Sequence, residues 1–222
     1  MTTPTTPNLI TLTNPRSAAA EAYRTLRTNL IFSSVEKPVT TLVVTTPAHS
    51  DDKSIVIANL AIAYAQAGHK TILIDADLRR PAQQEIWGVS SERGLTTMML
   101  DDSALAAPPL IETGIANLSL LPSGPLPPIP ADVLSSQRMG DVIGVLKARA
   151  TYLLFDAPPV LAGADAALLG AKLGGVVLVV KTGSTRRDQL ARARAELERV
   201  HVRVLGAVMT NAPAQKKADS YR

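Results

Sequence analysis

No cysteine occurs anywhere in the 222 residues, which excludes disulfides, thiolate metal sites and a cysteine nucleophile. Aromatic residues amount to only 3%, so the core must be built from Leu, Ile, Val and Ala, a composition that suits parallel strands covered by helices on both faces. No apolar run approaches the ~20 residues needed to cross a bilayer. Met1 to Pro15 is polar, rich in Thr and Pro, and lacks the apolar centre of a signal peptide. The expectation is a soluble cytoplasmic protein that reaches the inner face of the membrane only through a partner. Net charge is small, +4, but uneven. From Lys181 to Arg222 ten Lys/Arg stand against four Asp/Glu, a net of +6, which leaves −2 for the rest. A solvated helix face is the simplest reading of that basic third; nucleic acid or anionic lipid is the alternative.

What is present is a regular alternation. Hydrophobic residues make up 46% and charged residues 19%, the balance of a globular chain. Short β-branched runs at 41–46, 70–74, 118–121, 152–155, 176–180 and 202–209 alternate with helical periods at 17–33, 53–67, 140–149, 163–173 and 185–200. Pro81 opens a further short helix, and five prolines between Pro122 and Pro130 dictate an irregular, stiff loop. The pattern predicts an α/β fold: a doubly wound, mainly parallel sheet with helices on both faces, binding its ligand outside the carboxyl ends of the strands. A flexible arm is expected over 1–16, a single domain over 17–212 and a mobile tail over 213–222.

Three charged clusters fall at predicted strand ends. They are His49-Ser50-Asp51-Asp52-Lys53-Ser54 before a helix, Asp75-Ala76-Asp77-Leu78-Arg79-Arg80-Pro81, and Phe155-Asp156-Ala157-Pro158-Pro159. A Lys-Ser pair opening a helix, with carboxylates on two other strand ends, can hold a nucleoside triphosphate and Mg²⁺. Lysine meets the phosphates, the hydroxyl and carboxylates meet the metal, and the helix N-terminus adds its dipole. Each cluster alone is a common turn or cap; the three in this order are specific.

Ile72-Leu-Ile-Asp-Ala-Asp-Leu-Arg-Arg-Pro81 resembles the second acidic motif of bacterial tyrosine kinases, a branch of the ParA-like P-loop ATPases with a deviant Walker A loop. Those proteins act in capsule and exopolysaccharide export. The resemblance continues in Glu21-Ala-Tyr-Arg-Thr-Leu-Arg-Thr-Asn29, Leu121-Pro-Ser-Gly-Pro-Leu-Pro-Pro128, Leu154-Phe-Asp-Ala-Pro-Pro159, Lys181-Thr-Gly-Ser-Thr-Arg-Arg187 and Leu205-Gly-Ala-Val-Met-Thr-Asn211. It spans the chain from about Ser17 to Asn211. The resemblance implies ATP or ADP with Mg²⁺ as cofactors. Lys53 would contact the β- and γ-phosphates, and Ser54 would ligate the metal. Asp75 and Asp77 would organise the metal and position an attacking tyrosine hydroxyl, and Asp156 would hold the metal through water. Asn211 would read the adenine, with Arg186 also placed at the nucleotide. Glu21, Arg24 and Arg27 would join neighbouring subunits into a ring through the helix 17–33; a surface i,i+3 ion pair is the plain alternative. The family also implies a transmembrane co-polymerase or activator on a separate chain, and nucleic acid is not expected as a partner.

Two family hallmarks are degraded. The phosphate loop of the family carries two glycines where this chain has Ser50 and Asp52, with Asp51 between them. Glycine suits such a loop because the backbone must approach the phosphates closely. An acid there repels phosphate. Asp51 or Asp52 is expected to fill the anion site itself, with Asp52 also suited to cap the helix; the plain alternative is a loop turned outward with both carboxylates solvated. The tyrosine-rich tail is reduced to Tyr221, one possible phosphoacceptor. Three readings follow: a pseudokinase that works by assembly or regulation, an active autophosphorylating tyrosine kinase, and a ParA-like partitioning ATPase.

Overall fold

The computed structural model describes residues 8–33, 38–49 and 52–212. Tyr221, Ser50 and Asp51 lie outside them. The expected arm over 1–16 does not hold for its second half. Helix α1 (Ile10–Thr13) is packed, with Leu9 and Thr11 buried. The reason is a buried amide: Asn59 Oδ1 accepts from the Thr11 backbone N–H at 3.0 Å and its hydroxyl at 2.9 Å, while Asn59 Nδ2 donates to the Ile55 carbonyl.

Helix α2 (Ala18–Phe32) starts where Ser17 Oγ accepts the Ala20 N–H at 3.1 Å, an ordinary N-cap. Strand β1 (Thr41–Thr45) feeds the phosphate-loop segment and helix α3 (Asp52–Gln66). α3 is apolar on nearly every side because the sheet covers one face and α1 and α2 cover the other. Gly68 ends the turn after it with φ +85°, a conformation a β-carbon resists. Strand β2 (Thr71–Asp75) leads to α4 (Gln83–Trp87), α5 (Leu95–Leu100) and α6 (Asp102–Ala106), followed by β3 (Ile111–Glu112) and β4 (Leu118–Leu121). Then come α7 (Pro130–Ser135), α8 (Gln137–Lys147), β5 (Tyr152–Asp156) and a 3-10 turn at Val160–Ala162. Helix α9 (Asp165–Lys172), β6 (Val176–Lys181), α10 (Arg187–Arg199) and β7 (Val204–Thr210) complete the order.

The seven strands run β3-β4-β2-β5-β1-β6-β7, all parallel except β3, which pairs antiparallel with β4. That edge hairpin departs from the expected run of parallel strands; a two-residue strand is too short to leave a period in the sequence. Helices α5, α6 and α7 were also not anticipated. Pro130 sits at the first position of α7, so the proline-rich segment starts a helix as well as forming a loop. Side chains alternate across the sheet: Val43, Ile72, Ile74, Leu153 and Phe155 face one apolar core, and Leu42, Val44, Leu73 and Leu154 face the other. Both faces of the central strands are buried, as parallel sheets require, whereas edge strand β7 leaves Gly206, Ala207 and Met209 exposed. Among the described residues no helix is long and apolar enough to cross a membrane.

The chain order crosses over at β1, whose neighbours are β5 and β6. The carboxyl ends of β2, β5, β1 and β6 therefore open onto one crevice. Asn59→Ala should test the packing of α1 onto α3. It leaves the buried Thr11 donors without an acceptor, so unfolding in urea should show a loss of about 2 kcal/mol; an unchanged midpoint would mean that α1 adds nothing to the domain.

Candidate nucleotide site and its buried ion cluster

Register alone brings the acids together. Asp75 pairs with Asp156 across β2 and β5, and Val44 of β1 pairs with Asp156 on the other side. Lys53, one residue into α3, reaches across the crevice to both remaining acids. Its Nζ lies 2.7 Å from Asp77 Oδ2 and 2.8 Å from Asp156 Oδ1, and all three side chains are buried. Burial alone would lower the Lys53 ammonium, but the charges of Asp156 and Asp77 outweigh it and hold the group above its usual range. The Ser54 hydroxyl is 3.4 Å from the same nitrogen.

Gln83 completes the cluster. Fully buried, it donates from Nε2 to Asp156 Oδ2 at 2.7 Å and to the Ser54 carbonyl at 3.0 Å, while its Oε1 accepts from Trp87 Nε1 at 3.1 Å. Nothing in the sequence singled it out, since a lone Gln in a short helix carries no motif. Asp77 Oδ1 accepts the backbone N–H groups of Arg79 and Arg80, which fixes the turn after β2.

Asp75 does not join the lysine. Its oxygens accept backbone N–H groups from Asp77, Ala82 and Gln83 at 3.3, 3.1 and 2.9 Å. Burial, and then the Asp156 charge beside it, push its carboxyl up to about 8 despite those donors. The four residues implied as metal ligands are thus split. Ser54, Asp77 and Asp156 meet at Lys53, whereas Asp75 is turned into the α4 backbone. Among the described residues no three acid or imidazole groups converge as a metal cage.

Asp52 opens α3, and its carboxylate runs sideways. Oδ1 lies 3.0 Å from Lys181 Nζ at the end of β6, and Oδ2 accepts the Thr210 hydroxyl at 2.7 Å at the end of β7. Partial burial opposes ionisation, but the bonds from Thr210 and Lys181 together hold this carboxyl below the usual range. Tyr23 of α2 lies within the field of that charge. Burial first, then Asp52, push its phenol up to about 12. Lys181 and Thr210 stood in the quoted motifs, but nothing in the sequence assigned them to Asp52.

The remaining implied residues are dispersed. Asn211, with φ +52°, donates to the Thr182 carbonyl at 3.3 Å. Arg186 is exposed and ion-paired with Asp188. On α2, Arg24 pairs with Glu21 at 2.7 Å and donates to the Pro15 carbonyl. Arg27 turns inward to the Ala63 carbonyl at 2.9 Å. Beside Lys53 and Ser54 a cavity of about 950 Å³ opens, walled by Arg79, Arg80, Ile86, Pro158 and Pro159.

A mainly parallel sheet with a Lys-Ser helix start after β1 and aspartates after β2 and β5 defines a P-loop fold. Comparison with known proteins narrows the class. No protein-family model matches the chain. The tyrosine-protein kinase YwqD of Bacillus subtilis is 37% identical over 212 residues, which cover 96% of this chain and 89% of YwqD. The chimerical protein CapA2B2 superposes with a TM-score of 0.88 at 32% identity, over 93% of this chain and 90% of its own. The kinase domain of the Escherichia coli tyrosine kinase ETK gives 0.82 at 29% identity, over 96% of this chain and 84% of that one. The chain belongs to the bacterial tyrosine-protein kinases.

The raised Asp75 carboxyl makes a pH prediction. Between the ordinary carboxyl value of 3.8 and about 8, the folded chain keeps a proton that the unfolded chain releases. Raising pH through that window therefore draws the equilibrium toward unfolding. Urea unfolding of the wild type should show stability falling from pH 5 to pH 8, and Asp75→Asn should flatten that fall; parallel profiles for the two proteins would mean that Asp75 is ionised throughout.

Proposed function

We propose that this chain is a kinase-like subunit of capsule or exopolysaccharide export whose ATP binding is impaired and which acts by assembly or regulation. The observation that carries the reading is Asp52, which stands where the family places a phosphate-loop glycine and whose carboxylate is held by Lys181 and Thr210. It serves as an internal substitute for a bound anion: a cation and a hydroxyl at the β6 and β7 ends are already satisfied. A triphosphate arriving at this loop meets a fixed negative charge and must also compete for those two donors. At ~5 Å and an effective dielectric of ~20, a carboxylate repels each unit of phosphate charge by roughly 3 kcal/mol.

ATP and Mg²⁺ thus fit half of the site. Ser54, Asp77 and Asp156 supply the oxygen donors that a magnesium ion takes. The phosphate side does not fit, because Asp52 adds an acid there and Lys53 is already bonded to two carboxylates. No phosphoryl transfer is assigned to the chain on this reading. Retention of Lys53, Ser54, Asp77 and Asp156 in one cluster favours the second reading, an autophosphorylating tyrosine kinase with Tyr221 as acceptor. In either case the helix 17–33 would carry ring assembly, and a membrane-spanning partner on a separate chain would place the protein at the membrane.

Calorimetric titration with Mg²⁺-ATP and Mg²⁺-ADP decides between them. The wild type should give no measurable binding, and Ser50→Gly/Asp52→Gly should gain about 100-fold or more, the two decades that ~3 kcal/mol represents. Micromolar binding by the wild type would defeat the pseudokinase reading and turn attention to phosphate on Tyr221, read by mass spectrometry.

A further inference from the structure

Arg79 follows the acidic turn of β2 and forms part of the cavity wall beside Lys53 and Ser54. Its guanidinium does not swing freely. Nε and Nη2 both contact Asp165 Oδ2, at 3.0 and 2.9 Å, a link across 86 residues. Asp165 is the first residue of α9 and only 1% exposed, whereas the Arg79 side chain is 39% exposed. The other carboxylate oxygen, Oδ1, has no hydrogen-bond partner, so Asp165 is held through its contact with Arg79 alone. Gly163 leaves the space for this arrangement. A β-carbon there would lie 2.8 Å from Arg79 Nη2 and 2.7 Å from Asp165 Oδ2.

Ion pairs with one exposed partner add little stability, and a carboxylate this buried is unfavourable unless paired. What the pair does fix is direction. With Nε and Nη2 on Asp165, the Nη1 edge of the guanidinium is left without an acceptor among the described residues, on a side chain that borders the cavity. A guanidinium edge suits the oxygens of a phosphoryl group, and one already oriented loses less freedom on binding.

We propose that Arg79 is the side chain with which this cavity contacts the phosphoryl group of a bound ligand, and that Asp165 is the positioning residue that aims it. The proposal rests on the kinase-family reading of the cavity but not on nucleotide binding at the phosphate loop. Pro158, Pro159 and Ile86 give the same cavity an apolar wall for the organic part of such a ligand.

The test titrates the full chain with phenyl phosphate and with inorganic phosphate, followed by NMR, with melting temperature measured for every variant. Phenyl phosphate should bind at least tenfold more tightly than inorganic phosphate, and Arg79→Ala should weaken it about tenfold or more. Asp165→Asn keeps the shape of the side chain and should weaken binding by a similar factor, with the double variant no worse than either single one. Arg79→Lys keeps the charge but not the two-nitrogen contact, and should also lose affinity; it carries the test if Asp165→Asn does not fold. Arg80→Ala, a second cavity arginine, should have the smaller effect. The proposal is overturned by a wild type that does not bind phenyl phosphate or binds both probes equally. It is also overturned if Arg80→Ala matches Arg79→Ala, or if folded Asp165→Asn binds as the wild type does. Phenyl phosphate binding is independent of the Mg²⁺-ATP titration, so loss of the pseudokinase reading leaves this result standing.

Discussion

One buried cation between two buried carboxylates holds the crevice together. Lys53 belongs to α3, Asp77 to the turn after β2 and Asp156 to the end of β5, so the contacts at 2.7 and 2.8 Å join three separate segments. Each charge alone would be costly in this interior; removing any one leaves the others uncompensated. Gln83 extends the network to α4 by bonding Asp156 and the Ser54 carbonyl, and Trp87 fixes Gln83 in turn. The sheet register places Asp75 against Asp156, and burial first, then the Asp156 charge, raise the Asp75 carboxyl.

The phosphate-loop helix is tied down on both flanks. On the β2–β5 flank Lys53 satisfies acids, and on the β6–β7 flank Asp52 satisfies Lys181 and Thr210. Adjacent residues of opposite charge thus lead away from each other, one into the crevice and one toward the sheet edge. A loop whose first helical residues are already paired in both directions has less to offer an incoming triphosphate than one presenting free backbone amides and a free ammonium. A glycine at position 52 would have no side chain with which to make the second tie.

Architecture was legible in the sequence because it follows from periodicity. The buried β-branched runs, the helical periods and the acids at strand ends lie where alternation and turn chemistry put them. Gly68 marked the end of α3 for a definite conformational reason. What escaped was whatever depends on the chain meeting itself. Asn59 carries no motif, and its role emerges only where Thr11 folds onto it. Asp52 was read as a local cap or anion substitute, while Lys181 and Thr210 reach it from 129 and 158 residues away. Arg27 was placed with Glu21 and Arg24 by spacing, yet only Arg24 and Glu21 pair, because Arg27 can reach the carbonyl of Ala63 on α3. Spacing describes one helix; it does not say which neighbour the helix lies against.

That neighbour also brings α2 to both ends of the helix that carries Lys53 and Ser54. α2 packs along α3, and its contacts bracket that helix: Arg27 bonds near its C-terminal end at Ala63, while Tyr23 lies in the field of Asp52 at its start. α2 thus meets α3 near both of its ends. Asp52, bonded to Lys181 and Thr210, ties the start of α3 to the ends of β6 and β7. The two ties, through Lys53 and Asp52, come from opposite sides of the sheet order, so the first turn of α3 is held by β2, β5, β6 and β7 together.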